Sequence, residues 1–203
     1  MTIWGYLSLI IFFLNATQTD EEGFEIVRQD ERVTLYERWT SFPGTTVQSR
    51  QIKGVFQTPV TLEKMYTTIT NESKIREWQS HLLEYRHFPD SDTTWHTYSL
   101  YDMPWPMDDQ DYLLGQTLKV RTQELIILRF QHAANEALAP VQEDIERKPT
   151  IGQWELKKLA DGQTLVTYTV IGKPVGYPRF VTDRIVRNNM MNTLKTLMKV
   201  AEQ

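Results

Sequence analysis

No cysteine occurs among the 203 residues. That absence excludes a disulfide scaffold, a thiolate zinc or iron–sulfur site and a cysteine nucleophile, and it leaves the redox compartment open. Histidine is scarce: His81, His87, His96 and His132 form no i, i+4 pair and no H-E-x-x-H, so no metal site is expected. Asp108-Asp109-Gln110-Asp111 lacks the glycine and the later bidentate glutamate of a calcium loop and reads as a solvated loop entering a strand. Gly172-Lys173-Pro174-Val175-Gly176 fits neither phosphate-binding glycine pattern, G-x-S-x-G is missing, and no nucleophile sits beside an orienting base. The expectation is a non-enzyme without a cofactor. A basic surplus is also lacking: Lys and Arg number 22 against 26 Asp and Glu, a net charge of -4. Nucleic acid is therefore not an expected partner, and strong electrostatic attraction to anionic lipid surfaces is not expected either.

What is present is ordinary globular composition, 40% hydrophobic and 24% charged, in a length that suits one domain. The start differs from the rest. Ile3 to Leu14 is an apolar run of 12 residues, followed by the small and polar Asn15-Ala16-Thr17 and then by Asp20-Glu21-Glu22. The run is short of the roughly 20 residues of a membrane span, so residues 1–17 are expected to be a signal peptide and the chain to be exported to a periplasmic or extracellular place. An uncleaved N-terminal anchor is the alternative.

From Phe24 onward the period is two. Strands are expected over 24–28, 33–39 and 46–56, then a helix from Thr58 to Thr70 with Thr58 as N-cap and Pro59 at its first position, then a second short helix over 73–78. Four strands follow near 81–87, 94–101, 110–121 and 124–131, with Met103-Pro104-Trp105-Pro106-Met107 a loop because two prolines cannot sit in a central strand. Strands over 151–160 and 164–171 flank Asp161-Gly162, a tight hairpin turn. Val186, Met190, Leu194, Leu197 and Ala201 then line one face of a final helix. The fold class is α+β: an antiparallel sheet of about nine strands, too wide to stay flat, curled around a long C-terminal helix, with two short helices after the third strand. A strongly curved sheet cannot follow a straight helix along its length, so a cavity is expected between them.

Aromatic residues are plentiful, with six Trp, nine Tyr and eight Phe. Tyr112, Leu114, Leu118 and Val120 share one strand face, Ile126, Leu128 and Phe130 another, and Trp154, Leu156, Val166, Tyr168 and Val170 continue the stripe. Each serves a plain core equally well. In the assembled shape, Trp95, Tyr101 and Trp105 close one end of the cavity, where aromatic rings with polar tips suit an apolar pocket that orients a head group. Met190, Met191 and Met198 add a soft surface on the covering helix.

Val33-Thr34-Leu35-Tyr36, Glu77-Trp78, Met103-Pro104-Trp105-Pro106 leading to Asp111-Tyr112, Gly152-x-Trp154, Gly162-x-Thr164-x-Val166-Thr167-Tyr168 and the turn from Gly172 to Pro178 occur in an order that resembles a START domain. This is the StAR-related lipid-transfer module of the helix-grip superfamily, which also holds Bet v 1-like proteins and polyketide cyclases. The resemblance covers residues 22–203 as a single domain of a bacterial secreted type. It implies an internal tunnel for one lipid or other hydrophobic molecule, a gate at Met103–Asp109 that includes Trp105 and Met107, and a lid face at Val186, Met190 and Leu194. Ligand contacts are then expected from these and from Trp95, Tyr101, Tyr112, Leu114, Leu128, Trp154 and Tyr168. One departure stands out: the family usually has an arginine where this chain has Gln110. A monomeric carrier with transient membrane contact is the leading expectation. A cyclase or hydrolase on a hydrophobic substrate is the alternative, with Glu84, His87, His96 or Arg129 facing inward. A partner-binding module would instead show an open, shallow patch.

Overall fold

Period-two alternation produces three strands at the start of the domain, β1 (Glu25–Gln29), β2 (Val33–Ser41) and β3 (Gln48–Thr58), in a computed structural model that describes residues 22–105, 107–174 and 179–203. Asp30 sets the first turn, its carboxylate accepting from the backbone N–H of Arg32 at 3.0 Å and of Val33 at 2.9 Å. Two helices follow, α1 (Leu62–Thr70) and α2 (Glu72–Trp78). The strands β4 (Leu82–Pro89), β5 (Thr94–Tyr101), β6 (Gln110–Arg121) and β7 (Leu125–His132) come next. After a connection, β8 (Glu146–Arg147), β9 (Thr150–Lys158) and β10 (Thr164–Gly172) lead to α3 (Arg179–Glu202). No described helix is long and apolar enough to cross a membrane. The expected signal segment, residues 1–17, lies outside the described residues.

One expectation is corrected here, and the expected count of about nine strands is refined. The first helix starts at Leu62, capped by Thr61, whose side chain accepts from the Lys64 N–H, and Thr58 is the last residue of β3. Thr58 pairs with Thr164 of β10, and its hydroxyl donates to Glu202 at 3.0 Å, so sheet pairing overrides the Thr-Pro helix signal. The sheet has ten strands, because the dipeptide β8 pairs in parallel with the start of β6.

The strand order is β1-β2-β3-β10-β9-β7-β6-β5-β4, antiparallel throughout that path. Register shifts in β1, β4 and β6 mark bulges that add twist and bend the sheet toward the helices. The apolar face of the long helix packs tightly at one end only. Leu194, Leu197 and Ala201 are fully buried, whereas Val186 and Met190, nearer its start, are half-buried. At the close end a Cβ built on Gly54 of β3 would lie 2.2 Å from Leu194 Cδ1, so glycine is what lets helix and sheet touch. At the other end α3 is held by charge. Arg187 forks onto the buried Glu37 of β2 at 3.0 and 2.6 Å, and Arg50 of β3 pairs with Asp183 while standing 3.7 Å from Glu37.

The outer face of β5 and β6 carries a second, small cluster of Tyr98, Leu113 and Ala139. The connection after β7 is strapped over it by Arg147, which forks onto Asp111 at 2.5 and 2.8 Å and donates to the Ala139 carbonyl. Asp111 is 1% exposed and this pair satisfies it, so the charge beside Gln110 is met from β8 and not from its own neighbour in sequence.

Candidate functional site

Between the concave face and α3 lies a cavity of about 510 Å³. Its volume is in the range of pockets that bury a small organic molecule. Alternation along β6 turns Tyr112, Leu114 and Gln116 inward and Asp111 and Leu113 outward. The sheet wall is aromatic. Tyr168 of β10 stacks on its cross-strand partner Trp154 of β9, and Phe130 of β7 lies 5.9 Å from Tyr168 in a second stacked contact. Gly152 makes room for that ring, since a Cβ there would come within 2.4 Å of Phe130. Trp78 of α2 meets Trp154 edge-on at 6.2 Å and donates its indole N–H to the Thr68 carbonyl at 3.0 Å. Helices α1 and α2 contribute Ile69 and Ile75, and α3 contributes Val186, Met190 and Leu194.

Solvent-exposed lining residues mark the mouth: Trp39 at the end of β2, Ser80 and His81 before β4, and Lys173 and Pro174 after β10. In register, all sit at the same end of their antiparallel strands. His81 holds a φ of 63°, a left-handed conformation uncommon for a residue with a side chain, and its carbonyl accepts from the Asp102 N–H at 3.0 Å. Polar groups gather just inside. Tyr101 donates to Gln79, Tyr112 donates to Gln110 Oε1 at 3.1 Å, and the two tyrosine rings meet edge-on at 5.6 Å. Burial pushes the Tyr101 phenol up to about 12, and burial likewise raises Tyr112 and Tyr168, so all three stay neutral donors at physiological pH. Deeper in, the Gln116 amide donates to Thr97 at 3.1 Å.

Of the residues expected from sequence, Trp95, Tyr101, Met107, Tyr112, Leu114, Leu128, Trp154, Tyr168, Val186, Met190 and Leu194 all line this cavity. Trp105 does not, and that expectation is corrected. It is 91% exposed, because the Met107 N–H bonds the Pro104 carbonyl at 3.1 Å, a turn that tucks Met107 inward and turns Trp105 out. Met191 and Met198 pack in the core and are not part of the lining. Nor are Glu84, His87, His96 and Arg129, the four side chains expected to face inward in an enzyme. Among the described residues no three His, Cys, Asp or Glu side chains are grouped to hold a metal. Sequence reading missed Lys148, Gln116 and the helix residues Ile69 and Ile75. For Gln116 the signal was available, since it continues the Tyr112 and Leu114 parity. For Lys148, in an irregular acidic connection, there was none.

No family model matches the sequence. Over 108 residues the chain is 32% identical to an uncharacterized protein of Pseudomonas aeruginosa, a stretch covering 53% of each chain, so the match spans about half the length of that curated relative. Solved structures share the architecture. Human StAR-related lipid transfer protein 5 superposes with a TM-score of 0.78 at 18% identity, over 91% of this chain and 88% of that one. A STAR-related lipid transfer protein from Xanthomonas axonopodis gives 0.74 at 21% identity, over 89% and 99%. A Streptomyces aromatase/cyclase gives 0.56 at 11% identity, over 76% and 94%. The chain therefore has the START helix-grip fold, as the sequence motifs led one to expect.

Proposed function

We propose that this protein binds one lipid or comparable apolar molecule between the sheet and α3 and carries it between membranes in an exported compartment. The cavity of about 510 Å³ with its wall of stacked aromatic rings is the observation that carries this reading. The physical need is plain: at about 0.8 kcal/mol per methylene, a chain of about sixteen carbons costs on the order of 12 kcal/mol to bring into water. An apolar cavity offsets most of that. The names of the two lipid-transfer neighbours support the same reading. Trp105 supplies membrane contact. Its exposed indole stands in the loop that also sends Met107 into the cavity, so a bilayer touching Trp105 meets the protein close to the mouth. An enzyme of the cyclase type is less favoured, because its four inward candidates lie outside the lining.

The test is native mass spectrometry of the full chain purified from its own host, followed by solvent extraction. One lipid-sized adduct per chain is expected, on a monomeric mass. Protein that arrives empty and takes up no lipid from vesicles after delipidation overturns the proposal. N-terminal sequencing of the same material tests export: a start near Gln18 is expected, and an intact Met1 in the cytoplasmic fraction rejects it.

A further inference from the structure

The chain carries a net charge of -4, yet among the described residues the cavity lining contains Arg50, Lys148 and Lys173 and no aspartate or glutamate. These cations differ in what meets them. Arg50 is matched by Glu37 and Asp183, and Lys173 is exposed at the rim. Lys148 is 6% exposed, and its ammonium donates to Glu146 at 2.8 Å, a carboxylate whose side chain is 41% exposed. A buried ammonium has three N–H donors, and Glu146 takes one.

Gln110 lies beside it. In register it faces Glu146 on β8 and Tyr101 on β5, while the Lys148 backbone N–H bonds the carbonyl of Asp111 at 2.9 Å. The Gln110 side chain is 3% exposed and lines the cavity. Its Oε1 accepts from Tyr112, and its Nε2 has no partner among the described residues. A buried donor without an acceptor is costly. This end of the cavity thus offers spare donors and one buried positive charge, with Glu146 as its partner outside the lining.

Resting on the carrier reading above, we propose that the ligand is an amphiphile with an oxyanion head, carboxylate or phosphate, on a single apolar tail, and that Lys148 and Gln110 hold that head. The volume of about 510 Å³ lies in the lower half of the usual pocket range, which favours one tail over two. An alcohol or ester head can satisfy Gln110 but leaves Lys148 without a second anion.

The test compares palmitate, hexadecyl phosphate, hexadecanol and methyl palmitate on delipidated full chain, read by the emission of the cavity tryptophans. Palmitate and hexadecyl phosphate are expected to bind at least about tenfold tighter than the neutral pair, the increment of one charge-assisted contact. Lys148→Met and Gln110→Leu are expected to narrow that ratio. Equal binding of palmitate and hexadecanol by the natural chain overturns the oxyanion head and leaves the carrier reading standing. A ratio unchanged in both variants overturns the assignment to these residues. Binding of none of the four overturns the single-tailed oxyanion ligand, and the carrier reading is then decided by lipid uptake from vesicles. Millimolar inorganic phosphate is expected not to displace palmitate, and displacement would assign the site to free phosphate instead of a lipid head.

Discussion

The rings of Trp154 and Tyr168 stack across β9 and β10 with centroids 4.1 Å apart and planes inclined by 30°. Both line the cavity and Trp154 is 7% exposed, so one pair serves the packing and forms part of the cavity wall. Trp154→Ala is expected to cost about 3–5 kcal/mol in urea unfolding. Trp154→Phe is expected to cost less and still weaken lipid retention. Unchanged lipid affinity in Trp154→Phe would remove the indole from the binding wall.

Gly54 and Gly162 are required for different reasons. A Cβ on Gly54 meets Leu194, which must turn toward the cavity it lines, so Gly54→Ala is expected to cost about 1–3 kcal/mol by overpacking. Gly162 holds a φ of +83° with open space around it, so Gly162→Ala costs only about 1 kcal/mol of backbone strain. Shortening Leu194 in a double variant with Gly54→Ala relieves the first loss if the close approach is its cause.

Acid stability follows from the contacts that hold the first hairpin to α3. Hydrogen bonding from Lys195, then from the backbone of Arg32 and Val33, holds the Asp30 carboxyl at about 2, below its ordinary 3.8. Arg32 likewise lowers Glu202 at the far end of the helix. A carboxyl whose folded value is depressed contributes stability that is complete above its unfolded value and is lost as pH falls through the folded one. The urea midpoint is therefore expected to drop as pH falls from 3.8 toward about 2, and Asp30→Asn is expected to flatten that limb. An identical acid limb in the variant would show that the hairpin contact does not set it.

Arg187 and Glu37 anchor the cavity end of α3, where apolar contact is thin. Arg187→Met leaves Glu37, 5% exposed, with Arg50 alone, and a loss of about 3 kcal/mol is expected. Hydrogen exchange in the first half of α3 should quicken more than exchange near Leu197. Uniform quickening along the helix would contradict a local anchor.

Trp105→Ala is expected to slow lipid transfer between vesicles by about tenfold, the worth of one large side chain entering a membrane, with equilibrium lipid affinity unchanged. An unchanged transfer rate would take the indole out of membrane contact.

The alternation of Val33 to Trp39, of Gln110 to Gln116 and of Thr164 to Val170 reports which face each strand buries, and it was legible because a period of two survives any sheet curvature. Parity failed where the backbone leaves the strand. Between Met103 and Met107 nothing in the sequence decides which apolar side chain turns inward, and the turn at Pro104 sends Met107 in and Trp105 out. The β8 dipeptide carries no pattern at all, and Lys148 becomes a cavity residue only because that dipeptide pairs with β6. Gln110 was visible as a departure from a family pattern, but that its carbonyl is taken by Tyr112 while its amide N–H stays open is a matter of side-chain geometry.

Trp78, Leu128, Trp154 and Leu194 belong at once to the hydrophobic core and to the cavity lining. One side of the core is therefore also the wall of the cavity, and on the carrier reading a bound molecule would be a removable part of the interior. On that reading, occupancy would raise the population of the closed native state by mass action, and vacant copies would open more often to proteases. The amount of this protein would then follow the supply of its ligand, with no dedicated regulator needed to match one to the other.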